Sequence, residues 1–206
     1  MIPGTPQPSL PILMALDLAF AALDRGSPNT DEILIAGATD RTMHELLARS
    51  VGPIAVLDAN ASPQGITDVE SGFRRSLWLA PNTHGWQQTA VTINRQMLPG
   101  GWLAIVGSGP FAGALQRVRP GAFGIHNGTA HPQQIRRFLQ YWPAGEWRLY
   151  GIRSAAWAAL RMAADRLGRP DLSDRWQAAF QQALVESAAC RLCGIRVSLS
   201  RKPTGH

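Results

Sequence analysis

An α/β fold with a doubly wound, mostly parallel sheet and helices on both faces is predicted by two observations. Short, continuous apolar runs recur over residues 30–110, as expected of strands that are buried on both faces. Segments with apolar residues at helical spacing lie between these runs, and strands that alternate with helices indicate parallel βαβ units. With 206 residues, 45% of them hydrophobic and 17% charged, the chain suits one folded domain and not a disordered segment.

The first elements of this pattern come before residue 60. Residues 1–8 hold three prolines and predict an irregular tail. Ser9 is a suitable N-cap for a helix over 9–24, in which Asp17 lies on the solvent side. The elements predicted next are a buried strand over 33–36, a helix over 40–50 with Met43, Leu46 and Leu47 inward, and a buried strand over 54–57.

The next elements surround a turn rich in glycine. A strand over 76–80 is predicted to stop at Pro81, and a helix over 86–97 carries Ala90, Ile93 and Met97 on one side. That helix ends at Leu98-Pro99-Gly100-Gly101, because glycine and proline interrupt helices. A fourth strand follows over 102–106.

The remainder of the chain is less regular. Strands are predicted over 147–152 and 195–199, and the alternation of apolar and polar residues favours a position at or near a sheet edge for the latter. Further helices are predicted over 110–117, 132–141, 155–167 (with Ala164 and Leu167 on the inner face) and 172–189.

Charge is distributed unevenly along the chain, which has a net charge of +6. Residues 117–206 hold fourteen basic residues and five acids. This Arg-rich half is expected to meet an acidic or otherwise anionic partner, the alternative being an ordinary solvated surface. Nucleic acid is not the expected partner, because no nucleic-acid-binding motif is present.

Cysteine and histidine residues do not predict a metal or redox centre. Cys190 and Cys193 are the only cysteines, which excludes a disulfide framework. They follow a predicted helix, whereas a redox pair normally opens one, so two semi-buried thiols are expected. His126 and His131 lack supporting Cys or acidic residues, and no metal site is expected.

No membrane segment is expected either. The apolar run over 10–23 is interrupted by Pro11 and Asp17, is too short to span a bilayer, and lacks the basic flank of a signal peptide. A soluble, cytoplasmic protein is the resulting expectation.

A known family shares several of these features. Residues 93–106, INRQMLPGGWLAIV, resemble the late motif of class I S-adenosylmethionine-dependent methyltransferases, and the ending Arg201-Lys202-Pro203 is similar to many of its C-termini. The resemblance is closest over 30–110 and looser over 145–203. It implies one methyltransferase-like Rossmann domain over 1–206, with S-adenosylmethionine as cofactor and a small or medium-sized substrate.

Two departures from the family pattern suggest a reduced cofactor site. The family's first turn usually carries Gly-x-Gly-x-Gly, but residues 36–42 contain one glycine. In addition, only some twenty residues separate Asp58 from the strand around Trp78, an interval in which the family usually fits a helix and another strand.

The resemblance implies cofactor-binding roles for the residues that follow the first two strands. Residues Gly37, Ala38, Thr39 and Asp40 correspond to the cofactor loop, where backbone N–H groups and a helix N-terminus can receive a polar ligand. The alternative is an ordinary βα turn with Thr39 or Asp40 as the N-cap. Asp58 corresponds to the acid that accepts the ribose hydroxyls, and its alternative role is that of a turn former.

Residues after the third strand complete the candidate site. Pro81 and Asn82 stand where the family binds its cofactor, although the motif is incomplete. His84 is the candidate general base, because the ordinary pKa of histidine is near neutrality, and its alternative is a polar loop residue. Trp78, Trp86 and Trp102 would either stack a planar substrate or belong to the core.

Two other functions remain open. A chain with this fold and a lost cofactor site would act as a non-catalytic binding or assembly protein. Residues 37–42, GATDRT, are also similar to the Gly-Ala-Thr-Gly turn of short-chain dehydrogenases, which bind NAD(P). That family's Tyr-x-x-x-Lys pair is absent, which makes this the third choice.

Overall fold

A computed structural model of the chain describes residues 10–26, 28, 30–38, 40–57, 72–79, 85–108, 135, 148–152, 163–164, 166–169, 185–187 and 195–204. No helix within these ranges is long and apolar enough to cross a membrane. The helices are α1 (Leu10–Asp24), α2 (Asp40–Arg49) and α3 (Trp86–Gln96). The strands are β1 (Ile33–Ala36), β2 (Ile54–Leu57), β3 (Phe73–Leu79), β4 (Met97–Ser108), β5 (Arg148–Ile152), β6 (Val185–Ser187) and β7 (Ile195–Arg201).

All seven strands belong to one sheet, in the order β2-β1-β3-β4-β7-β5-β6. β2, β1, β3 and β4 pair in parallel, and β7 is antiparallel to both of its neighbours, β4 and β5. β6 is antiparallel to β5. The predicted mostly parallel α/β sheet is therefore confirmed, with an antiparallel strand inserted between β4 and β5.

Helices cover both faces of the sheet, as predicted. On the α1 face, α1 and Leu46 of α2 pack against alternate residues of β1, β3, β4 and β7. On the α3 face, α3 and Ile135 pack against the intervening residues of β1, β3 and β4. Every residue of β1 is buried, because this strand lies between two others and beneath helices on both sides.

Several elements lie where the sequence predicts them. β1 and β2 have the predicted bounds, and α3 ends one residue before the predicted end. Ala90, Ile93 and Met97 are buried, whereas the side chain of Asp17 is 60% exposed. Ile135 is helical and buried, in agreement with the predicted helix over 132–141.

The prediction of an edge position for the last strand is wrong. β7 lies between β4 and β5, and its polar residues Ser198 and Ser200 are buried. The Ser198 hydroxyl donates to the carbonyl oxygen of Ile105 at 3.4 Å. A small hydroxyl can be satisfied by a neighbouring strand, so alternation of apolar residues with serine does not indicate exposure to solvent.

The predicted helix over 172–189 is wrong in its last part. Val185–Ser187 form β6, which pairs with Tyr150–Ile152 of β5. Because β7 occupies the other side of β5, this pairing supplies the remaining backbone partners of β5. Tertiary pairing thus overrides the local helical pattern.

Three residues predicted to face the core are exposed. Leu47 of α2 and Leu167 are 59% and 66% exposed. Val56 is 51% exposed, because β2 is the last strand on its side of the sheet among the described residues. Leu46 alone directs α2 fully into the core, and β2 is less buried than its continuous apolar run predicts.

A buried arginine joins the sheet to the end of α1. Arg75 of β3 is 1% exposed and its guanidinium binds the carboxylate of Asp24. The same guanidinium donates to the carbonyl oxygens of Pro28 and Asp31, at 3.3 and 3.4 Å. The segment between α1 and β1 is therefore attached to the amino end of β3.

Candidate cofactor site

The sheet has a topological switch point at the carboxyl ends of β1 and β3. From β1 the chain crosses to β2 on one side, whereas β3 and β4 lie on the other side. Ligands of open α/β sheets bind in the crevice outside the strand ends at such a point. Gly37 follows the last residue of β1, so the predicted cofactor loop begins at the switch point.

Gly37 has a conformation that only glycine adopts without strain. Its φ is 74°, and a Cβ placed on it would lie 2.1 Å from the carbonyl oxygen of Leu79. Leu79 is the last residue of β3, the neighbouring strand. Glycine is therefore required by the contact between these two strand ends, independently of any ligand.

The loop leads directly into α2. Ala38 is half-buried against the α1-face core, and Asp40 is the first residue of α2. The N-terminus of a helix carries unpaired backbone N–H groups and a partial positive charge. The predicted strand, glycine turn and helix start are thus all in place, whereas the binding role of Gly37, Ala38 and Asp40 stays a prediction.

The other predicted site residues lie outside the described residues: Thr39, Asp58, Pro81, Asn82 and His84. Their neighbours in the chain fix only where they attach. Asp58 follows Leu57, the last residue of β2, and His84 precedes Gly85, the N-cap of α3. Both strand β2 and helix α3 flank the central pair β1 and β3 or cover it, so these attachments are compatible with one shared edge.

Tryptophan contributes more to the core than to this edge. Trp78 is 2% exposed and packs on the α3 face, while Trp102 is 8% exposed and packs on the α1 face. Trp102 also pairs in register with Arg75, near the amino end of β3, which places it away from the switch point. Trp86 is half-buried at the first position of α3.

The glycine-rich turn of the family-like motif lies at the opposite, amino edge of the sheet. Gly100 has a φ of 78° and donates its backbone N–H to the carbonyl oxygen of Lys202 at 2.9 Å. Lys202 in return donates its N–H to the carbonyl oxygen of Gly101 at 2.8 Å. The turn over 98–101 and the Arg-Lys-Pro segment, noted separately in the sequence, are therefore direct partners.

Lys202 also caps α3. Its Nζ donates to the carbonyl oxygens of Asn94 and Met97, at 2.5 and 2.7 Å. These carbonyls lie at the C-terminus of the helix, where a cation is favourable. Burial lowers the pKa of Lys202, and the contacts indicate a structural role for this residue.

No metal centre is found in the described part of the chain. There, no group of three or more His, Cys, Asp or Glu residues is arranged to hold an ion. His126, His131, Cys190 and Cys193 fall outside that part, so their predicted lack of a metal or redox role is untested.

Comparison with known proteins informs the fold. No protein-family model matches the sequence, and no curated protein matches it either. Solved structures do match: phosphoethanolamine N-methyltransferase 2 of Haemonchus contortus with bound S-adenosylmethionine gives a TM-score of 0.52 at 12% identity. That match covers 91% of this chain but 52% of the nematode enzyme, so the chain spans about half of its length.

Two further structures match over most of both chains. A methyltransferase of Thermotoga maritima gives a TM-score of 0.51 at 12% identity and is covered to 91%, with 94% of this chain aligned. The plantazolicin methyltransferase with bound S-adenosylhomocysteine gives 0.52 at 10% identity, with 93% of this chain and 84% of that chain covered. The chain has the fold of class I methyltransferases. At these identities the likeness shows the fold, and the activity is a separate question.

Proposed function

We propose that this chain binds S-adenosylmethionine and transfers its methyl group to a small or medium-sized molecule. The observation that carries the proposal is the Gly37 turn, which links β1 to α2 at the switch point of a methyltransferase-like sheet. Two structures that share this fold hold S-adenosylmethionine or S-adenosylhomocysteine.

The described part of the turn fits such a ligand. Gly37 and Ala38 carry at most a methyl group as side chain, so a bulky ligand can approach the backbone. The N-terminus of α2 supplies N–H donors for its polar groups. Asp58 would accept the ribose hydroxyls, with Pro81 and Asn82 beside the cofactor.

The chemistry requires little from the protein beyond placement. The sulfonium cofactor is already an activated methyl donor, so proximity and orientation of the acceptor supply most of the rate. His84 would accept the proton that a nucleophilic oxygen or nitrogen of the substrate loses.

A second candidate is a non-catalytic binding or assembly protein with the same fold. The contact between Gly37 and Leu79 favours it, because the sheet itself explains the one glycine that the turn retains. An NAD(P)-binding protein is the third candidate, from the GATDRT turn.

Calorimetric titration separates these candidates. Purified protein is titrated with S-adenosylhomocysteine and with NADH, and both titrations are repeated on Asp58→Ala. Glu32→Ala is the matched control, because Glu32 is an exposed carboxylate at the start of β1, on the amino edge. Micromolar binding of S-adenosylhomocysteine that is lost in Asp58→Ala and kept in Glu32→Ala supports the proposal. Folded protein that binds neither ligand refutes both enzyme candidates.

Two coarser expectations belong to the same proposal. An anionic partner at the Arg-rich half, residues 117–206, is proposed from the fourteen basic residues and five acids there. A cytoplasmic location is proposed from composition, since two cysteines in 206 residues do not form a disulfide framework.

A further inference from the structure

Four exposed arginines surround the turn over 98–101 at the amino edge of the sheet. They come from four separate elements: Arg25 follows α1, Arg74 lies in β3, Arg95 in the last turn of α3, and Arg201 ends β7. We refer to the surface formed by these four residues as the basic edge.

Arg25 and Arg201 lie on the α1 side of the turn. Gly26, next to Arg25, is so close to Trp102 that a Cβ placed on it would lie 2.1 Å from the indole nitrogen. The guanidinium of Arg201 lies 5.7 Å from the centroid of the Trp102 ring and donates to the carbonyl oxygen of Gly100 at 3.1 Å. Trp102 thus separates two neighbouring cations.

Arg74 and Arg95 lie on the α3 side. A Cβ placed on Gly101 would be 3.0 Å from the carbonyl oxygen of Arg74, so Arg74 borders the turn. Arg95 stands between Asn94 and Met97, whose segment is bound by Lys202. The ammonium of Lys202 adds a fifth, half-buried positive charge to this side.

Three of these guanidinium groups are unpaired in the structure. Arg49 and Arg75 bind carboxylates, but Arg25, Arg74 and Arg95 make no ion pair or hydrogen bond in the described part of the chain. Asp24, the acid nearest to Arg25 in sequence, binds the buried Arg75. Asp31 and Glu32 precede β1 and lie toward β2, so the basic edge extends from β3 to β7.

We propose that the basic edge binds the phosphodiester backbone of a nucleic acid. Exposed guanidinium groups match phosphate oxygens in geometry and charge. The whole chain is also strongly basic, with a net charge of +6 and a pI of about 10.6. The arginines are far apart in sequence and come together only in the fold, which is why no nucleic-acid-binding motif is visible in the sequence.

A protein partner or a membrane fits this surface less well. Protein interfaces have an apolar centre, but the large exposed apolar residues of the described ranges lie elsewhere: Leu47 in α2, Val51 before β2, Val56 in β2, and Leu167. Aromatic stacking of bases is also excluded at this edge, since Trp102 is buried. Contact with a duplex backbone, without sequence preference, is what remains.

The basic edge is at the end of the sheet opposite to Gly37, so this inference stands independently of the proposed methyl transfer. The test uses fluorescence anisotropy with a labelled 20-base-pair RNA duplex between 50 and 200 mM KCl. Three proteins are compared: the wild type, Arg25→Gln/Arg74→Gln/Arg95→Gln, and the matched Arg25→Lys/Arg74→Lys/Arg95→Lys, which keeps the charge. Arg201 is left intact because it packs on Trp102.

Wild-type protein is expected to bind with strong salt dependence, and the glutamine variant to lose roughly a hundredfold in affinity at 50 mM salt. Its slope of log K against log salt should fall by about 2, while the lysine variant keeps the wild-type slope. Equal melting temperatures of the three proteins check that the fold is intact.

Three results would overturn the inference. One is no duplex binding by the wild type, and another is equal binding by the wild type and the glutamine variant, which would assign the binding to other basic residues. The third is tighter binding of poly-glutamate or of phosphatidylserine vesicles than of RNA, lost in the same variant. A titration with S-adenosylhomocysteine on the glutamine variant tests the opposite edge separately and is expected to match the wild type.

Discussion

The two edges of the sheet are built from different materials. At the carboxyl edge the described contacts are between backbones, as where Gly37 lies against the carbonyl group of Leu79. At the amino edge long cationic side chains reach backbone carbonyls: Arg75 binds two carbonyl groups before β1, and Lys202 binds two at the end of α3.

This difference separates a place for a ligand from a place that joins the chain together. Bare backbone and a helix start leave space for a ligand outside the strand ends. At the amino edge the last strand meets the turn between α3 and β4, and lysine and arginine satisfy carbonyls that helix ends and loops leave free. Disruption is therefore expected to be steric at the first edge and electrostatic at the second.

The largest effect is expected for Gly37→Ala. The added methyl group would lie 2.1 Å from the carbonyl oxygen of Leu79, and alanine disfavours a φ of 74°. We expect a loss of about 3–4 kcal/mol in the free energy of unfolding, measured by urea denaturation. Gly168→Ala is the matched control, since its φ is 64° with no atom near the added Cβ, and about 1 kcal/mol is expected. Equal losses in the two variants would show that the contact with β3 has no weight.

A smaller effect is expected for Asp24→Asn at the amino edge. It would leave the cation of Arg75, which is 1% exposed, without its carboxylate. Because the Asp24 side chain is 41% exposed, water offsets part of the loss, and about 2 kcal/mol is expected from urea denaturation.

The control for this change is Asp17→Asn. Asp17 pairs with Arg49 at 2.7 Å, but its side chain is 60% exposed, so less than about 1 kcal/mol is expected. Burial of Arg49 lowers the pKa of that guanidinium, and its hydrogen bonds to Glu45 and Asp17 outweigh this and raise the pKa. A larger loss for Asp17→Asn than for Asp24→Asn would contradict the importance of burial.

The smallest effect is expected for Lys202→Met, about 1 kcal/mol at neutral pH, from the loss of two hydrogen bonds at the end of α3. Burial lowers the pKa of Lys202 from 10.5, so the unfolded chain binds more protons between the lowered pKa and 10.5. Stability should rise with pH across that window in the wild type and not in the variant. Urea denaturation of both proteins at pH 8 and at pH 11 measures the difference, and parallel pH profiles would refute it.

Much of the sheet was predictable from local patterns. The apolar run at 33–36 predicts a strand that is buried on both faces, and the bounds of β1 agree. Residues 86–97 show helical spacing, and Ala90 and Ile93 are buried in α3. These patterns suffice because helix and strand periodicity reflect burial directly.

The order of the strands and the status of the last strand were less accessible. Alternation at 195–199 predicts a half-exposed strand, but β7 is buried on both faces because β5 pairs on its outer side. Val185–Ser187 continue a helical pattern and still form β6 against β5. Pairing between segments distant in the chain decided both cases.

The candidate cofactor site was partly predictable. The sequence places Gly37 between a strand and a helix, and the structure agrees, since position along the chain determines which residues follow a strand. It does not reveal that Leu79 occupies the space beside Gly37, because that contact depends on how β1 and β3 pair.

By itself, the sequence determined the α/β class, the core faces of α1 and α3, and the glycine turn after the first strand, because these follow from periodicity and local backbone chemistry. The tertiary structure alone decided that Lys202 closes the turn at Gly100, that Arg75 is buried beside Asp24, and that four arginines share one edge. Such contacts join residues tens of positions apart, and only the strand order brings them within reach of one another.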